Sequence, residues 1–277
     1  AAAYAGAIRI GDIGIPIALR RDPELRLGLL EGGDVTPAFP RRGPAAHKGT
    51  FGHVLVIAGS VGKTGAAALT GEAAQRGGAG LVTLAVPESL NDILEVKLTE
   101  VMTEPVPETE AQTIGREALD RLLHLAADKS AVAIGPGLGT HPSTQKLVHE
   151  LLAALRIPIV LDADGINALA GQADLLRGVA GPLILTPHPG ETSRLLGVPR
   201  DEVLGRRIAL AQDVANRFNV TVVLKMARTV IALPTGDAAI VPTGNPGMAT
   251  GGTGDVLTGL IAGLLAQGVA PGLAAHA

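Results

Sequence analysis

The amino-acid sequence predicts an α/β fold in which a mostly parallel central sheet has helices on both faces. Two observations support this prediction. Short apolar runs without polar alternation recur along the chain, and such runs are typical of strands buried on both faces. Stretches with helical spacing lie between them, and this alternation is typical of a parallel sheet covered by helices.

Gly, Asp or Pro ends each apolar run and so bounds each predicted strand. Strands are expected at 54–59, 81–86, 131–137, 158–164, 183–189 and 220–225, with less regular ones at 229–233 and 238–241. Helices are expected at 64–77, 143–155, 201–218 and 253–268. Residues 1–46 are poorly periodic and rich in Gly, Pro and Arg, so we expect a linker with one lead-in segment there and the main domain over 47–277.

The composition excludes several classes of function. The chain has 277 residues, its aromatic residues are one Tyr and three Phe, and its formal net charge is −3. Nucleic-acid modules need aromatic stacking platforms or a basic surface, so no nucleic-acid partner is expected. The absence of cysteine excludes disulfides and thiolate chemistry and is typical of a cytoplasmic protein.

The most membrane-like part of the sequence is the apolar stretch at 257–277. It contains Gly, Pro, Gln and His and follows Asp255 closely, so we expect a core helix there and no membrane span. The chain opens without Met or a basic leader, and no secretory signal is predicted.

The residues that follow the predicted strands are of a kind suited to binding. In open α/β sheets, ligands bind beyond the carboxyl ends of the strands. The small, acidic, basic or imidazole-bearing residues expected there are Gly59, the glycines of 135–139, Asp162, Asp164, His188 and Lys225. A site at this edge of the sheet is therefore predicted.

The strongest local signal is the glycine-rich stretch GNPGMATGGTGDVLTG that precedes the last long helix. Gly251, Gly252 and Gly254 allow a turn to pass close to a ligand, and the helix that follows directs unpaired amides to the same place. Such a helix start favours a phosphate or a developing negative charge. Asp255 beside this turn is a candidate base for phosphoryl transfer. The alternative is that Asp255 only caps the helix and the glycines only form the turn.

Two other glycine-rich loops resemble nucleotide motifs without matching them. GSVGKTG at 59–65 lacks the glycine that a P-loop requires five residues before Gly62, because Ile57 stands there. GPGLG at 135–139 is one residue short of the dinucleotide fingerprint. We expect both to be loops that line a pocket.

His188 and Glu191 in TPHPGE are placed at a strand-to-helix junction, with prolines on both sides of the imidazole. A binding role and a purely structural role remain open for His188. For Asp162 and Asp164, the alternatives are an outer-sphere magnesium or ribose contact, or capping of a helix before Asn167.

In combination, HKGTFGHVLVIAGS, GPGLGT, LDADGINAL, TPHPGE and GGTGDVLTG resemble the ADP/ATP-dependent NAD(P)H-hydrate dehydratase family, which has a ribokinase-like fold. The resemblance extends over roughly 45–277. IRIGDIGIP at 8–16 is similar to the closing strand of the NAD(P)H-hydrate epimerase domain that precedes the dehydratase in bifunctional members.

The resemblance implies repair of NADH or NADPH hydrated on the nicotinamide ring, in the S form. The nucleotide, ADP or ATP with Mg²⁺, phosphorylates the ring hydroxyl, and phosphate then leaves as the ring nitrogen donates its electron pair. It also implies a homo-oligomer and a fused epimerase domain upstream.

The resemblance also assigns site residues. Asp255 would be the base, with the amides around Gly252 and Gly254 as the anion hole. The residues that would contact the hydrated dinucleotide are Ala66, Gly137 or Gly139, His188 and Asp255. The residues that would hold the AMP portion of the nucleotide are Lys225, Met226, Ala227, Arg228, Thr229 and Gly254. No metal ligand is assigned.

The sequence departs from the family at two places. The family pattern is Lys-Gly-Ala-x-Thr, whereas Met226 here takes the glycine position. If that position needs a positive φ or a close approach to the nucleotide, Met costs on the order of 1 kcal/mol of strain. Alternatively, Met226 packs as an apolar cover over the purine. The chain also ends at LAAHA, where we expect a further helix of the family to follow.

Two other functions remain open. A vitamin-precursor kinase of the same fold would release a phosphorylated product without loss of water. A catalytically silent nucleotide-binding protein would show neither reaction.

Overall fold

The computed structural model describes residues 11–20, 22 and 24–277, which form a ten-stranded sheet with helices on both faces. The strands of this part are β1 (Leu27–Leu29), β2 (His53–Ile57), β3 (Leu81–Pro87), β4 (Met102–Val106), β5 (Ala131–Ile134), β6 (Ile159–Leu161), β7 (Leu183–Leu185), β8 (Thr221–Leu224), β9 (Val230–Ala232) and β10 (Ala238–Ile240). The helices are α1 (Ile17–Arg20), α2 (Gly32–Val35), α3 (Thr64–Arg76), α4 (Asn91–Lys97), α5 (Leu119–Ala126), α6 (Pro142–Ala154), α7 (Ala163–Asn167), α8 (Pro189–Leu196), α9 (Arg200–Gly205), α10 (Arg207–Phe218), α11 (Thr253–Ala266) and α12 (Pro271–His276). None of these helices is long and apolar enough to cross a membrane.

The sheet is parallel except at one strand. Its order is β1-β10-β9-β8-β7-β6-β5-β2-β3-β4. Within the described chain, β9 runs antiparallel to β8 and β10, and every other strand pairing is parallel. The carboxyl ends of β2, β5, β6, β7 and β8 therefore lie at the same edge of the sheet.

The sheet separates two apolar cores, and neighbouring strand residues point into opposite ones. Leu55 and Ile57 of β2 pack with residues of α5, α6 and α10, whereas Val54 and Val56 pack with residues of α3, α4, α11 and α12. A strand buried on both faces needs an apolar residue at every position. This explains the continuous apolar runs in the sequence and confirms the predicted fold class.

All eight predicted strands are present, most of them a few residues shorter than predicted. The four predicted helices are also present, although the one at 201–218 is interrupted at Arg206 between α9 and α10. The apolar stretch predicted as a core helix forms the buried end of α11 and then α12.

The first 46 residues are more structured at one point than the sequence predicts. β1 pairs in parallel with β10 and so extends the sheet at its edge. Residues 11–16 form no strand, and the rest of the stretch compared with an epimerase strand, residues 8–10, lies outside the described residues. The domain boundary at 46 and 47 stays a prediction.

Two helices, α3 and α11, pack against each other through small residues, and both begin at the carboxyl edge of the sheet. A Cβ atom placed on Gly259 of α11 would lie 2.2 Å from the carbonyl oxygen of Thr70 in α3. One on Gly263 would lie 2.6 Å from the carbonyl oxygen of Ala74. The backbones of the two helices are thus too close for any side chain at these glycines, which fixes the position of α11 on the sheet.

We predict that Gly259→Ala lowers the free energy of unfolding by about 1–3 kcal/mol, because the added methyl group forces α3 and α11 apart. Chemical denaturation monitored by circular dichroism measures the change. Gly205→Ala is the matched control: that helical glycine has open space around its Cβ position, so alanine there should be neutral or stabilising by up to about 1 kcal/mol. A Gly259→Ala protein as stable as the parent would contradict the close packing.

Candidate active site

Several helices begin at the carboxyl edge of the sheet, where the loops after five parallel strands meet. Among them are α3, α7, α8 and α11. The first amides of a helix have no partner within it, and the dipole of the helix makes that end positive. The edge is therefore suited to a ligand that carries phosphates.

Asp162, at the end of β6, is the buried centre of this edge. Its side chain is 1% exposed, and its Oδ1 accepts a hydrogen bond of 2.6 Å from Nζ of Lys225, which follows β8. Its Oδ2 accepts a hydrogen bond of 2.8 Å from the buried hydroxyl of Thr258 in α11. Asp162 thus connects three segments of the chain. It stands at the N-cap position of α7, but its side chain makes no capping hydrogen bond there.

The glycine-rich turn before α11 lies next to the side chains of Lys225 and Asp162. Gly252 has φ +92° and begins α11 without a side-chain cap, so the first amides of α11 remain free for a ligand. A Cβ atom on Gly254 would lie 3.3 Å from Nζ of Lys225, which shows how closely the turn approaches the ammonium group. The structure brings Lys225, Gly254 and Asp255 together, as the resemblance implies.

Asp255 is half-buried at this turn. Burial raises the pKa of its carboxyl group, the negative charge of Asp162 raises it further, and the positive charge of Lys225 partly opposes both. A raised pKa makes a carboxylate a stronger base, which is the property required of a group that removes a proton from a hydroxyl.

His188 caps α8 with its own ring. Its Nδ1 accepts hydrogen bonds from the backbone N–H groups of Gly190 (2.9 Å) and Glu191 (3.3 Å). The buried carboxylate of Glu191 in turn accepts a bond of 2.7 Å from the backbone N–H of His188. Burial lowers the pKa of His188, and Lys225 and Arg194 lower it further. Since Nδ1 accepts these bonds, the proton of the neutral ring belongs on Nε2, which lies 3.3 Å from Oε1 of Glu191. Burial raises the pKa of Glu191.

The first glycine loop contacts the GPGLG loop. A Cβ atom on Gly137 would lie 3.0 Å from Cβ of Lys63 and 3.1 Å from Cβ of Ala66, so the structure brings Ala66 and Gly137 together. The Ser60 hydroxyl donates to the carbonyl of Gly137 at 2.7 Å. These contacts show that the P-loop-like stretch packs against the second loop, and a pocket lined by the two loops stays a prediction.

Asp164 ties the second loop to α7. Its Oδ2 accepts a bond of 2.8 Å from the backbone N–H of Gly139 and lies 3.0 Å from Nζ of Lys63. Its Oδ1 accepts a bond of 3.2 Å from the amide of Asn167, whose own oxygen accepts a bond of 2.8 Å from Arg194. Asp164 therefore has a structural role between two loops of the site.

Comparison with known proteins agrees with this geometry. Residues 54–277 match the NAD(P)H-hydrate dehydratase family. The chain is 48% identical over 274 residues to the bifunctional NAD(P)H-hydrate repair enzyme of Moorella thermoacetica, a match that covers 99% of this chain and 52% of that protein. The chain belongs to the NAD(P)H-hydrate dehydratase family. It spans about half the length of the bifunctional relatives it matches.

Solved structures agree with this assignment. The crystal structure of the ADP/ATP-dependent NAD(P)H-hydrate dehydratase from Bacillus subtilis, crystallised with ATP and Mg²⁺, matches with TM-score 0.77 and 36% identity over 91% of this chain and 86% of that chain. A ribokinase-like superfamily protein from Enterococcus faecalis matches with TM-score 0.77 and 28% identity over 91% of this chain and 85% of that chain. The fold is therefore ribokinase-like, as predicted.

The position where the chain departs from the family pattern does not have the expected backbone strain. The residue with positive φ in the turn after β8 is Arg228, at +64°, and Met226 is not among the positive-φ residues. The Met226 side chain is half-buried and packs against the apolar core that includes Leu224. The alternative in which Met226 adopts a positive φ is wrong, because in this turn the left-handed conformation is taken two residues later, at Arg228. Ala227 and Arg228 are exposed at the tip of the turn, and the hydroxyl of Thr229 donates to the carbonyl of Met226 at 3.2 Å.

Thr258 is the residue of this site that the sequence analysis missed. A signal for it was present, since Thr258 lies three residues after Asp255 and so falls on nearly the same face of α11. The Lys63 to Asp164 contact was also missed, because it joins loops separated by about a hundred residues.

The capping role of His188 predicts a pH dependence of stability. Because the folded state lowers the pKa of His188, its contribution to stability is complete above the ordinary imidazole pKa and is lost as pH falls through the folded pKa. Asn at an N-cap accepts the same backbone bonds without titrating. The free energy of unfolding should fall between pH 8 and pH 5 in both proteins. In His188→Asn this fall should be smaller than in the parent by about 1 kcal/mol.

Urea denaturation of both proteins at the two pH values measures this difference. His124→Asn is the control, because His124 is exposed on α5 and caps no helix start. An unchanged pH dependence in His188→Asn would mean that the ring does not act as a neutral cap.

Proposed function

We propose that this protein converts the S form of hydrated NADH or NADPH back to NADH or NADPH, using ADP or ATP. The observation that carries the proposal is Asp255, a carboxylate of raised pKa placed at an uncapped helix start beside Lys225. A base next to a phosphate-binding turn is the arrangement that phosphorylation of a hydroxyl requires. The activities of the repair enzyme from Moorella thermoacetica and of the dehydratase from Bacillus subtilis support the same reaction.

The nucleotide is proposed to bind at the turn that follows β8 and at the start of α11. No side chain caps the start of α11 at Gly252, and Lys225 supplies a positive charge next to Gly254. Lys225, Met226, Ala227, Arg228 and Thr229, with Gly254, are proposed to hold the AMP portion. The transferred phosphoryl group would lie against the amides of Gly252 and Gly254, which favour its negative charge.

Magnesium is proposed to enter bound to the nucleotide. Asp162 and Asp164 are both engaged by Lys or backbone groups, and no three His, Asp or Glu side chains in the described part of the chain come together as a metal-ligand set. Mg²⁺ would supply charge neutralisation on the phosphates. The residues of this chain would act on the phosphates through Lys225 and the amides of α11.

The hydrated dinucleotide is proposed to bind on the side of the first two glycine loops. Ala66 and Gly139 are partly exposed there, Gly137 is buried against Lys63 and Ala66, and the half-exposed ring of His188 lies at the start of α8. Asp255 is proposed to lie between this side and the nucleotide and to contact both the ring hydroxyl and the transferred phosphoryl group.

The proposed reaction proceeds in two steps. Asp255 accepts the proton of the ring hydroxyl while the hydroxyl oxygen forms a bond to the terminal phosphorus, and ADP or AMP leaves. The ring nitrogen then donates its electron pair, the bond between carbon and the phosphorylated oxygen breaks, and the departing phosphate takes up the ring proton, while the proton on Asp255 returns to water. The sum is one hydrated dinucleotide and one ATP or ADP converted to NAD(P)H, ADP or AMP, and phosphate.

For the whole protein, we propose a cytoplasmic homo-oligomer in which residues 1–46 connect the dehydratase domain at 47–277 to an upstream epimerase domain. The bifunctional relatives and their double length support the fusion. The cysteine-free sequence suits a reducing compartment.

The test follows the recovery of dihydronicotinamide absorbance when the protein is incubated with hydrated NADH and ADP or ATP. We predict that Asp255→Asn lowers kcat by roughly 10²-fold or more, because the amide keeps the shape but cannot accept the proton. ADP binding measured by calorimetry should survive. Asp213→Asn, at an exposed position of α10, is the matched control and should retain parent activity.

A kcat of Asp255→Asn within about threefold of the parent would exclude Asp255 as a base of the usual strength. A phosphorylated product without recovery of absorbance would favour the vitamin-precursor kinase. Nucleotide binding without either reaction would favour the silent nucleotide-binding protein.

The turn after β8 generates a further prediction. Met226→Gly should bind ADP or ATP no more tightly than the parent, because Met226 lacks a positive φ and its side chain packs on the core. Its free energy of unfolding should fall by roughly 1–2 kcal/mol from lost packing and added backbone freedom. Arg228→Gly is the contrast. Its free energy of unfolding should rise, because glycine there relieves on the order of 1 kcal/mol of left-handed backbone strain. Tighter nucleotide binding by Met226→Gly would show that the side chain crowds the nucleotide.

A further inference from the structure

The hydrogen bond from Thr258 to Asp162 is unusual for a threonine in a helix. Buried helical threonines can satisfy their hydroxyl within the helix, and Thr70 of α3 does so by donating to the carbonyl of Ala66 at 2.9 Å. The Thr258 hydroxyl is equally buried but donates out of α11 to the carboxylate of Asp162 at 2.8 Å. The bond therefore joins α11 to β6, across 96 positions of sequence.

The other oxygen of Asp162 receives Lys225 at 2.6 Å. One rigid carboxylate thus sets the distance between the first turns of α11 and the ammonium group. A Cβ atom placed on Gly254 would lie 3.3 Å from Nζ of Lys225 and 3.8 Å from Oδ2 of Asp162. The glycine turn, the lysine and the aspartate are therefore close neighbours. This bridge, the two hydrogen bonds that Asp162 accepts from Lys225 and Thr258, therefore connects the first turns of α11 to Lys225.

We propose that Asp162 and Thr258 are positioning residues, which hold the start of α11 against Lys225 so that Asp255 and the lysine face the same phosphoryl group. This inference rests on the proposed function for the identity of the reaction. The bridge itself is a property of the chain, and its effect on α11 can be measured without substrate.

The charges around Asp255 agree with this arrangement. From β6 it faces the negative charge of Asp162, and from the turn after β8 the positive charge of Lys225. On the neighbouring α8, His188 and Glu191 respond to the same two groups and to Arg194. Asp162 therefore acts on Asp255 in two ways, by placing α11 and by adding a like charge.

The first experiment compares Thr258→Val with Thr258→Ser. Val keeps the size and removes the hydroxyl, which leaves Asp162 with one partner fewer, so kcat should fall roughly tenfold. The Kd for ADP should stay within about threefold, since Lys225 and the glycine turn remain. Thr258→Ser restores the hydroxyl and should recover most of the activity. Thr221→Val, a buried threonine at the amino end of β8, is the matched control.

A Thr258→Val enzyme with parent kcat would overturn the inference. So would a loss that Thr258→Ser does not restore, because packing and not the hydroxyl would then be responsible.

Amide hydrogen exchange of the unliganded proteins separates this inference from the proposed function. In Thr258→Val, the amides of 254–259 should exchange roughly tenfold faster than in the parent, whereas Thr221→Val should leave them unchanged. If the parent shows no dehydratase activity, the proposed function fails, and the exchange rates still decide whether the bridge holds α11. Equal exchange in the parent and Thr258→Val would refute the bridge.

The second experiment uses Asp162→Asn and the pH profile of kcat. Removal of the like charge should lower the pKa of Asp255, so the acid limb of the profile should move to lower pH as kcat falls. A purely structural role for Asp162 would reduce kcat without moving the limb. An acid limb that stays in place or moves to higher pH would therefore overturn the electrostatic part of the inference.

Discussion

The arrangement of the site depends on one buried charge, the carboxylate of Asp162. A carboxylate with 1% exposure is unstable in a protein unless it is paired and hydrogen-bonded. Its partners, Lys225 and Thr258, come from segments that are 63 and 96 positions away. The backbone beside it is equally constrained, because a Cβ atom on Gly135 would lie 1.8 Å from the carbonyl oxygen of Asp162. The need to satisfy one charge therefore brings three loops and a helix to fixed positions.

The sequence predicts the interior of the sheet better than its margins, and the reason is burial. β2 and β5 are apolar at nearly every position because both their faces are covered, and such runs are visible without any structure. β4 at the edge reads MTEPV, with a charge and a proline, and its burial is incomplete. β1 has three exposed residues, Leu27–Leu29, and its pairing with β10 depends on a partner more than 200 positions away. Neither edge strand has a local pattern that could reveal it.

The site is predictable to the extent that parallel strands end at one edge. Gly254, Asp255, His188 and Lys225 could be placed together because each follows a strand or begins a helix at that edge. The conformation within a turn is not encoded in the same way. Which residue after β8 takes the left-handed conformation is decided by the path from β8 to β9, and the structure assigns it to Arg228. The sequence therefore shows that Met226 differs from the family pattern, but it does not show which backbone conformation Met226 adopts.

Burial gives Asp255 and His188 opposite pKa shifts, although the same charged neighbours act on both. Asp162 raises the pKa of each, and Lys225 lowers the pKa of each. Desolvation disfavours whichever form is charged, so it raises the pKa of the carboxyl group and lowers that of the imidazole. The outcome is a carboxylate that binds a proton more readily and an imidazole that binds a proton less readily. Phosphates bound at the start of α11 would add negative charge beside Asp255 and so strengthen it further as a base. The site thus assigns the two groups different chemistry through a single physical cause, their removal from water.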